Sequence, residues 1–508
     1  MNFIQISACI SVIVILLSYI RKLKNKRFYK LLEQFPSHPT YPLIGNAHMF
    51  FGSMDDILPK LEKIMKLNDR VVHWFGPIPC LFLKKHEDIA MTYNLSSDRD
   101  LLGTPDDWLG VGILTSKYEE WKMSRKMFSP AFSSNMLLKY AEVIEKHSLK
   151  FVDNLKSAAN SGEEIDVFNC LTRLSMDTIM GTLFGDSIET DGKMREKFCF
   201  AAHDAIQYPI KRLQYPWLLS HRLNRIFLHI IGKINTIHDL QYYPTTILKK
   251  TIKNFQNVRR DSNTPDEVDT SNTMIDVLVR YWFKNSSNFT ETRMRDEVLH
   301  IIAAAVETSS MSTSFTVFML ALHQDVQQKA FDEVSKLVTD DGTFTPNDVI
   351  NNMPYLDQCI NETIRLYSPV AAMPRRMHKD ITLNDNAIIP ANTLVLGLIQ
   401  FANWDPDVYK NPEKFDPQNF SKEAEEARPK TSRLNFGYGP RSCIGAKYAM
   451  LSNKMLMALI LRNYHLSTSV KEFTKEHLKM DLSTQSKIGY PVKFTRRRAR
   501  SSLIMEKN

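Results

Sequence analysis

The sequence predicts a mainly α-helical fold with a small β-rich lobe, preceded by one N-terminal transmembrane helix. Three observations support this prediction. Apolar residues recur at helical spacing through most of residues 55–380, β-branched residues and turn formers follow in 381–398, and residues 3–20 carry no charge. With 508 residues, 43% of them hydrophobic, the chain can bury a large core, which excludes a disordered tail and a disulfide-stapled miniprotein.

The uncharged residues 3–20 are the first predicted element. As a helix they would be about 27 Å long, enough to cross the hydrocarbon core of a bilayer. A basic cluster begins directly afterwards at Arg21 and ends at Arg27. Positive charge next to a membrane helix stays on the cytosolic side. A cleaved signal peptide is the alternative, but its charges would precede the apolar run, so an anchor is favoured.

The formal net charge of +9 is concentrated at the two ends of the chain. Residues 1–30 carry +6 and residues 493–508 carry +5, which leaves −2 for the body between them. Nucleic-acid binding requires a clustered basic face, so no nucleic-acid partner is expected and a membrane surface is the favoured partner of the ends.

The cysteines give no sign of a zinc site or of an extracellular disulfide framework, because they contain no C-x-x-C pair. They are Cys9, Cys80, Cys170, Cys199, Cys359 and Cys443. All except Cys443 are expected to be small buried hydrophobic residues.

Four segments are predicted along the chain. They are a lumenal tip and transmembrane anchor at 1–20, a basic and proline-rich linker at 21–46, one main domain at 47–495 and a basic tail at 496–508. The linker prolines Pro36, Pro39 and Pro42 favour an extended path. Within the main domain, the polar residues 257–273 predict a loop. An uninterrupted run from Thr290 to about His323, apolar on all sides in its middle, predicts a long helix through the core.

Cys443 differs from the other cysteines in its surroundings. Gly439 and Gly445 flank it, and a strongly helical run begins at Ala446. At a helix N-terminus, unpaired amides and the positive end of the helix dipole stabilise an anion, so this thiol is expected to favour the thiolate that ligates iron. Arg441 could pair with an anionic group at the edge of a cofactor. An ordinary turn with a buried cysteine is the alternative.

This stretch resembles the haem-ligating signature of the cytochrome P450 family, F-x-x-G-x-R-x-C-x-G, with matches at Phe436, Gly439, Arg441, Cys443 and Gly445. Other stretches resemble the remaining family motifs in the expected order. They are W-x-x-x-R at Trp121 and Arg125, the oxygen-binding segment at 304–309 with Glu307 and Thr308, E-x-x-R at Glu362 and Arg365, a propionate-binding arginine at Arg375, and the P-E-x-F-x-P-x-R-F meander at 412–420.

The resemblance implies a haem-thiolate monooxygenase with the cytochrome P450 fold over residues 47–495. Such an enzyme inserts one oxygen atom of O2 into a small apolar substrate, namely a fatty acid, hydrocarbon, hormone-like lipid or xenobiotic. Cys443 is the implied axial ligand of haem b, which is otherwise non-covalently bound. Trp121, Arg125, Arg375 and Arg441 are the implied contacts of its propionates. Residues 107–114 resemble the fatty-acid, hydrocarbon and xenobiotic branch, particularly its insect members.

The resemblance also implies roles for other residues and for partners. Thr308 and Glu307 would deliver protons from the distal side. Electrons from NADPH would arrive through the membrane-bound NADPH-cytochrome P450 reductase, with cytochrome b5 as a further candidate partner. Lys122, Lys126 and Lys447 are the residues expected to offer the reductase a basic face. The expected location is the endoplasmic reticulum membrane, with one span and a cytosolic catalytic domain.

Three positions depart from the family pattern. Asn419 replaces the meander arginine, so Glu362 is expected to depend on Arg365 alone for charge pairing. Ala305 replaces the usual glycine of the core helix and could narrow the oxygen site. Ala304 stands where related fatty-acid hydroxylases often carry a glutamate bonded to haem, so covalent haem attachment is not expected.

Two alternatives to the monooxygenase remain open. One is a reductase-independent enzyme of the same fold that rearranges peroxides or dehydrates its substrate; such enzymes often lack the oxygen-site threonine, whereas Thr308 is present. The other is a non-enzymatic haem-binding or sensor protein, which Asn419 and Ala305 make conceivable.

Overall fold

The computed structural model describes most of the chain between residues 22 and 497. The described residues are 22–41, 44–96, 98–99, 109–185, 220–261, 273–285, 289–338, 344–480 and 483–497, with the isolated positions 16, 20, 197–198, 201–202, 208, 215 and 218.

Helices make up most of the described structure, which confirms the prediction of a mainly helical fold. In chain order they are α1 Lys26–Leu32, α2 Ile57–Met65, α3 His86–Leu95, α4 Tyr118–Phe128, α5 Ser134–Ser161, α6 Phe168–Phe184, α7 His221–Ile230, α8 Ile234–Asp261, α9 Met274–Lys284, α10 Glu291–Leu322, α11 Gln324–Val334, α12 Pro346–Asn351, α13 Pro354–Leu366, α14 Ile399–Asn403, α15 Lys422–Ala427 and α16 Ala446–Asn463.

The strands form small sheets, as the predicted β-rich lobe requires. They are β1 Arg70–Phe75, β2 Ile78–Leu83, β3 Glu164–Asp166, β4 Met373–Arg376, β5 Ile381–Thr382, β6 Ile388–Ile389, β7 Leu394–Gly397, β8 Tyr464–Ser467, β9 Leu478–Met480, β10 Thr484–Ser486 and β11 Pro491–Arg496. The four-stranded sheet has the order β1-β2-β7-β4, and the three-stranded sheet has the order β3-β11-β8. In the larger sheet β2 and β7 are parallel, whereas β1 and β4 pair antiparallel with their neighbours.

The long core helix is confirmed as α10, which runs from Glu291 to Leu322. Thr290 caps its N-terminus, because the threonine side chain accepts a hydrogen bond from the Arg293 amide at 3.1 Å. Almost every side chain from Met294 onwards is buried, and α10 packs against α6, α8, α13 and α16. A helix buried on all sides therefore does cross the core, where it forms one wall of the candidate site.

Two stretches differ from the sequence expectations. The basic part of the linker is helical, since α1 covers Lys26–Leu32 before the chain reaches the prolines. The prediction of a loop at 257–273 is wrong for its first residues, because α8 continues to Asp261. Arginine costs a helix little, and asparagine and aspartate cost it less than glycine or proline would, so the polar sequence does not end it at once. Residues 262–272 lie outside the described residues.

The predicted membrane anchor lies almost entirely outside the described residues, which include only positions 16 and 20 of the segment 3–20. Within the described part of the chain, the structure contains no helix that combines the length and the apolar character needed to span a bilayer. Cys9, Cys199 and nearly all of the basic tail at 496–508 also fall outside it. Of the other cysteines, Cys80 and Cys359 are buried as expected, and Cys170 is half-buried.

Candidate active site

The loop that carries Cys443 is a tight turn held by its own backbone. The Cys443 amide donates to the Phe436 carbonyl at 2.8 Å, and the Ser442 amide donates to the Gly439 carbonyl at 3.0 Å. Gly439 has a φ of +73°, and a Cβ added there would lie 2.6 Å from the Tyr93 carbonyl oxygen. Only glycine combines this backbone conformation with so close an approach to the end of α3. The fixed turn delivers Cys443 to the start of α16, as predicted.

Cys443 faces an internal cavity. Its side chain is accessible only from this cavity, because protein surrounds it on the other sides. Burial raises the pKa of the thiol, while the Gly445 amide and the cations Arg99 and Arg125 lower it by smaller amounts. For the protein alone, burial therefore opposes the bias toward thiolate that the helix N-terminus favours. Desolvation of a charged sulfur outweighs the effect of the helix N-terminus.

The cavity lies between the Cys443 loop and the core helix α10. Its walls are mostly aliphatic or small residues. From α10 come Ile301, Ala304, Ala305 and Thr308; from the Cys443 loop, Phe436 and Gly445; and from other segments, Ile113, Leu114, Val370 and Met373. The sequence-predicted residues of both the cysteine motif and the oxygen-binding segment thus meet at one cavity.

Cationic side chains gather at one part of this cavity. Arg375 and Arg441, both predicted, line it together with Arg99. The Nε atoms of all three, and Nη1 of Arg441, are buried without a hydrogen-bond partner among the described residues. Burial, together with the neighbouring Arg375, lowers the pKa of Arg441 to about 9. Buried guanidinium nitrogens without partners fit an anionic ligand at this part of the cavity.

Aromatic rings and backbone carbonyls support these arginines. The Arg441 guanidinium carbon lies 4.9 Å from the centroid of the Trp121 ring, and that of Arg375 lies 4.2 Å from the centroid of the Tyr93 ring. Arg125, one turn after Trp121 on α4, donates through Nη1 to the Ser442 carbonyl at 2.8 Å. Trp121 and Arg125 are therefore brought to the cavity as predicted, with Arg125 also holding the Cys443 loop.

Sequence reasoning missed Arg99, which stands in no recognised motif. Its Nη2 donates to the Arg441 carbonyl at 3.0 Å, and burial together with the nearby Arg375 and Arg441 lowers its pKa. The signal that could have found it is weak, because one arginine in a polar stretch is usually solvated. Its position depends on how the segment after α3 packs against the Cys443 loop.

The Glu362–Arg365 pair is fully buried on α13. Arg365 Nε and Nη2 lie 2.7 and 2.8 Å from the two Glu362 carboxylate oxygens, a bidentate pair. Arg365 Nη1 also donates to the carbonyls of Asn403 and Pro412, both at 2.7 Å. The pair thereby connects α13 to the segment that leads into the Cys443 loop.

Asn419 joins this network despite its lack of charge. Its Nδ2 donates to Glu362 Oε1 at 3.0 Å, and the Asp416 amide donates to the same oxygen at 2.9 Å. Arg365 supplies the charge of the pair, as predicted, while two neutral donors complete the hydrogen bonding of Glu362.

Thr308 and Glu307 occupy different faces of α10. Thr308 lines the cavity, and its hydroxyl donates to the Ala304 carbonyl one turn earlier at 2.7 Å. Glu307 is buried and is not among the residues that line the cavity. Its carboxylate lies near Tyr490. Burial raises the pKa of that phenol, and the negative charge of Glu307 raises it slightly further.

Comparison with known proteins decides the family. The family model described as Cytochrome P450 matches residues 36–492. The chain belongs to the cytochrome P450 family. As a cytochrome P450 it is an oxidoreductase of the monooxygenase class.

Several cytochromes P450 are similar over nearly their whole length. Cytochrome P450 4g1 of Drosophila melanogaster is 28% identical, with 93% of this chain and 91% of the relative aligned. Human Cytochrome P450 4X1 is 28% identical over 88% of this chain and 87% of the relative. Lithocholate 6-beta-hydroxylase of Mesocricetus auratus is 29% identical over 80% of each chain. The resemblance to insect members is confirmed.

The residues around the cavity fit the haem that cytochromes P450 carry. A cysteine thiolate is the axial ligand of the iron in this family, and Cys443 supplies the sulfur on one wall. The unpaired nitrogens of Arg99, Arg375 and Arg441 match a cofactor whose edge carries carboxylates. Gly445 leaves room beside the sulfur, since a Cβ added there would already lie 3.9 Å from Cys443 Sγ.

Proposed function

We propose that this cytochrome P450 inserts one oxygen atom of O2 into a small apolar substrate, with electrons that come from NADPH through a reductase. The observation that carries this proposal is the cavity between Thr308 and Cys443, which is aliphatic along α10 and cationic where the three arginines meet. Fatty acids, hydrocarbons, hormone-like lipids and xenobiotics all suit such walls, because burying their apolar surface drives binding.

Each wall has a distinct role in this proposal. When bound, haem supplies an iron centre that activates O2 for insertion into a C–H bond. Cys443 would hold the iron, Arg99, Arg125, Arg375 and Arg441 would pair with and neutralise the carboxylate edge, and Trp121 would contact it as a neutral donor. Phe436, Gly439 and Gly445 keep the loop in shape. Glu362, Arg365 and Asn419 are structural, because they hold the segment before that loop.

Protons must reach the cavity without water flooding it, and Thr308 and Glu307 are proposed for this task. The Thr308 hydroxyl can accept a hydrogen bond from an ordered water while it donates to the Ala304 carbonyl. Glu307 is buried on another face of α10, so the protons that it passes from solvent must reach that water through further ordered waters. Ala304 and Ala305 keep the adjacent wall small and free of other donors.

The full chain with its haem tests the cofactor assignment. We expect the reduced, carbon-monoxide-bound difference spectrum to show the strongly red-shifted Soret band of a thiolate ligand, and the Cys443→Ala variant to lose it. A band typical of a neutral ligand would contradict the assignment of Cys443.

NADPH consumption in the presence of reductase tests the reaction class. We expect consumption that depends on an added apolar substrate, together with a product that contains one more oxygen atom. Turnover without NADPH would indicate a rearranging or dehydrating enzyme, and no turnover would indicate a haem-binding sensor.

Thr308→Ala tests proton delivery. We expect haem to be retained while a larger share of the reducing equivalents is diverted to hydrogen peroxide than in the unsubstituted enzyme. Thr316→Ala is the matched control, because the Thr316 hydroxyl also donates to a carbonyl one turn earlier at 2.7 Å but lies outside the cavity. Equal coupling of NADPH consumption to product in both variants would refute the role of Thr308.

We also propose that the protein is anchored in the endoplasmic reticulum membrane with its catalytic domain in the cytosol. The uncharged residues 3–20 and the basic cluster after them support this, and so does α7, which exposes Leu223, Ile226 and Ile230 beside Arg222 and Arg225. The proposed redox partners are NADPH-cytochrome P450 reductase and cytochrome b5, docked on the exposed lysines Lys122, Lys126 and Lys447.

A further inference from the structure

Tyr93, near the end of α3, is a buried tyrosine that lines the cavity beside Arg375. Its hydroxyl donates to the Met373 carbonyl on β4 at 2.6 Å. Met373 and Arg375 are alternate residues of β4, and both line the cavity. The tyrosine is therefore tied to the strand that carries one of the three cavity arginines.

Two glycines leave the Tyr93 side chain a single position. A Cβ added to Gly397 on β7 would lie 2.5 Å from Tyr93 Oη and 2.9 Å from Cζ. Gly397 has no positive φ, so its backbone is open to other residues and the contact with the phenol is what excludes a side chain. A Cβ added to Gly439 of the Cys443 loop would lie 2.6 Å from the Tyr93 carbonyl oxygen. Tyr93 is therefore fixed by β4, β7 and the Cys443 loop together.

Arg375 lies against the face of this ring. Its guanidinium carbon is 4.2 Å from the ring centroid, within the range in which a cation is attracted to an aromatic face. Nη1 donates to the Pro374 carbonyl at 2.8 Å, while Nε is buried without a partner among the described residues. Burial lowers the pKa of Arg375. The attraction to the ring counteracts this effect, because it stabilises the charged form of the guanidinium.

Tyr93 holds the guanidinium without neutralising it. Burial raises the pKa of the Tyr93 phenol to about 12, although Arg375 and Arg99 lower it by smaller amounts. The phenol is therefore uncharged at physiological pH and keeps its proton for the Met373 carbonyl. A carboxylate at the same place would pair with Arg375 and cancel its charge, whereas an aromatic face leaves the full positive charge for an anionic ligand.

A second pair at the cavity has the same arrangement. The Arg441 guanidinium carbon lies 4.9 Å from the centroid of the Trp121 ring, and both residues line the cavity. Trp121 belongs to a recognised motif of the sequence, whereas Tyr93 belongs to none. Two of the three cavity arginines thus each lie against an aromatic ring.

We propose that Tyr93 is a positioning residue that fixes the Arg375 guanidinium at the cavity for the carboxylate edge of haem. By keeping a full positive charge there, it slows the loss of the cofactor and raises the reduction potential of the iron. The potential rises because a nearby cation favours the ferrous form, which carries one positive charge less than the ferric form. The inference rests on the proposed function only through the assignment of haem to this cavity, and not through the substrate or the reaction.

A double-mutant cycle in the full-length holoenzyme tests this proposal. The two measurements are the rate of haem transfer to apomyoglobin and the reduction potential of the iron, followed by its absorbance. We expect Tyr93→Leu to speed haem loss by about 3- to 30-fold, the effect of losing a desolvated contact between a cation and an aromatic ring, and to lower the potential. Arg375→Gln should change both in the same direction. Because Tyr93 acts through Arg375, Tyr93→Leu should add no further change in the Arg375→Gln background.

Two further variants separate this role from a general loss of stability. Tyr93→Phe keeps the ring face and should return the potential and the rate of haem loss to nearly the unsubstituted values. Tyr464→Leu is the matched control, because Tyr464 is also buried and also donates to a backbone carbonyl, that of Val152 at 2.9 Å, but lies outside the cavity. It should leave the potential unchanged even where it lowers the unfolding temperature.

Three outcomes would each overturn the proposal. They are an unchanged potential in Tyr93→Leu, additive effects in the cycle, and a Tyr93→Phe variant as impaired as Tyr93→Leu. If the unsubstituted holoenzyme oxidises no substrate with NADPH and reductase, the proposed function fails, while haem transfer and the potential still decide the role of Tyr93.

Discussion

At the scale of single residues, two glycines of the Cys443 loop differ in how much space surrounds them. Gly437 and Gly439 both have positive φ, but a Cβ on Gly437 would approach nothing closer than 3.8 Å, whereas one on Gly439 would meet the backbone of Tyr93. We predict that Gly439→Ala lowers stability by about 1–3 kcal/mol more than Gly437→Ala, because α3 must move to admit the methyl group. Thermal unfolding and the haem content of both purified variants measure this difference. Equal losses would show that only the backbone conformation matters there.

The same scale shows what motifs can and cannot predict. Cys443, Arg441 and Thr308 belong to short patterns with fixed chemistry, so their arrival at one cavity could be expected from the sequence. Arg99 and His300 belong to no such pattern, and their partners lie far away in the chain. The helix N-terminus at Cys443 is visible in the sequence, whereas the desolvation that raises the pKa of its thiol depends on the fold.

At the scale of elements, Asn419 connects the meander to α13. We predict that Asn419→Ala destabilises the protein by about 1.5–3 kcal/mol, the usual range for a hydrogen bond to a charged group, since Glu362 loses one of its donors. Chemical denaturation of the holoenzyme, followed by the loss of haem absorbance, measures this. Gln418→Ala is the control, because the Gln418 side chain is exposed. A loss equal to that of the control would mean that Arg365 and the Asp416 amide suffice to hold Glu362.

Elements also differ in how well the sequence predicts them. The bounds of α10 follow from a threonine cap and an apolar run, which are local signals. The end of α8 could not be predicted in this way. The residues that continue the helix are polar, and they give no local signal either for or against continuation. Residues 110–116 are irregular, and their contacts with acceptors about 185 residues later help to fix their path.

At the scale of the whole molecule, two buried histidines couple folding to pH. His73 lies among aromatic rings, 5.4 Å from the centroid of Phe82, and neither of its ring nitrogens has a partner among the described residues. Burial lowers the pKa of His73 and of His300 to about 3, against 6.5 when unfolded. Between these values the unfolded chain binds more protons, so stability is full above pH 6.5 and falls as the pH decreases.

We predict that each histidine costs about 1.4 kcal/mol of stability for every pH unit below 6.5. Urea unfolding at pH 7.5 and 5.5 measures the total, and His73→Phe should remove about half of the part due to these two groups. His229→Gln, a change at an exposed histidine of α7, should leave the pH dependence as it is. A His73→Phe variant with the full pH dependence would contradict this account.

The parallel pairing of β2 with β7 has a consequence for synthesis of the chain. Leu81 lies opposite Val395 and Leu83 opposite Gly397, so β2 cannot complete its hydrogen bonds until residues 394–397 have been made. Because about 310 residues separate the two strands, a ribosome that adds about 5–20 residues per second takes roughly 15–60 s to supply the partner. Throughout that interval the β1–β2 hairpin presents an unpaired, hydrophobic edge, the kind of edge that recruits other chains. Nascent protein therefore needs this edge shielded until residue 397 has emerged.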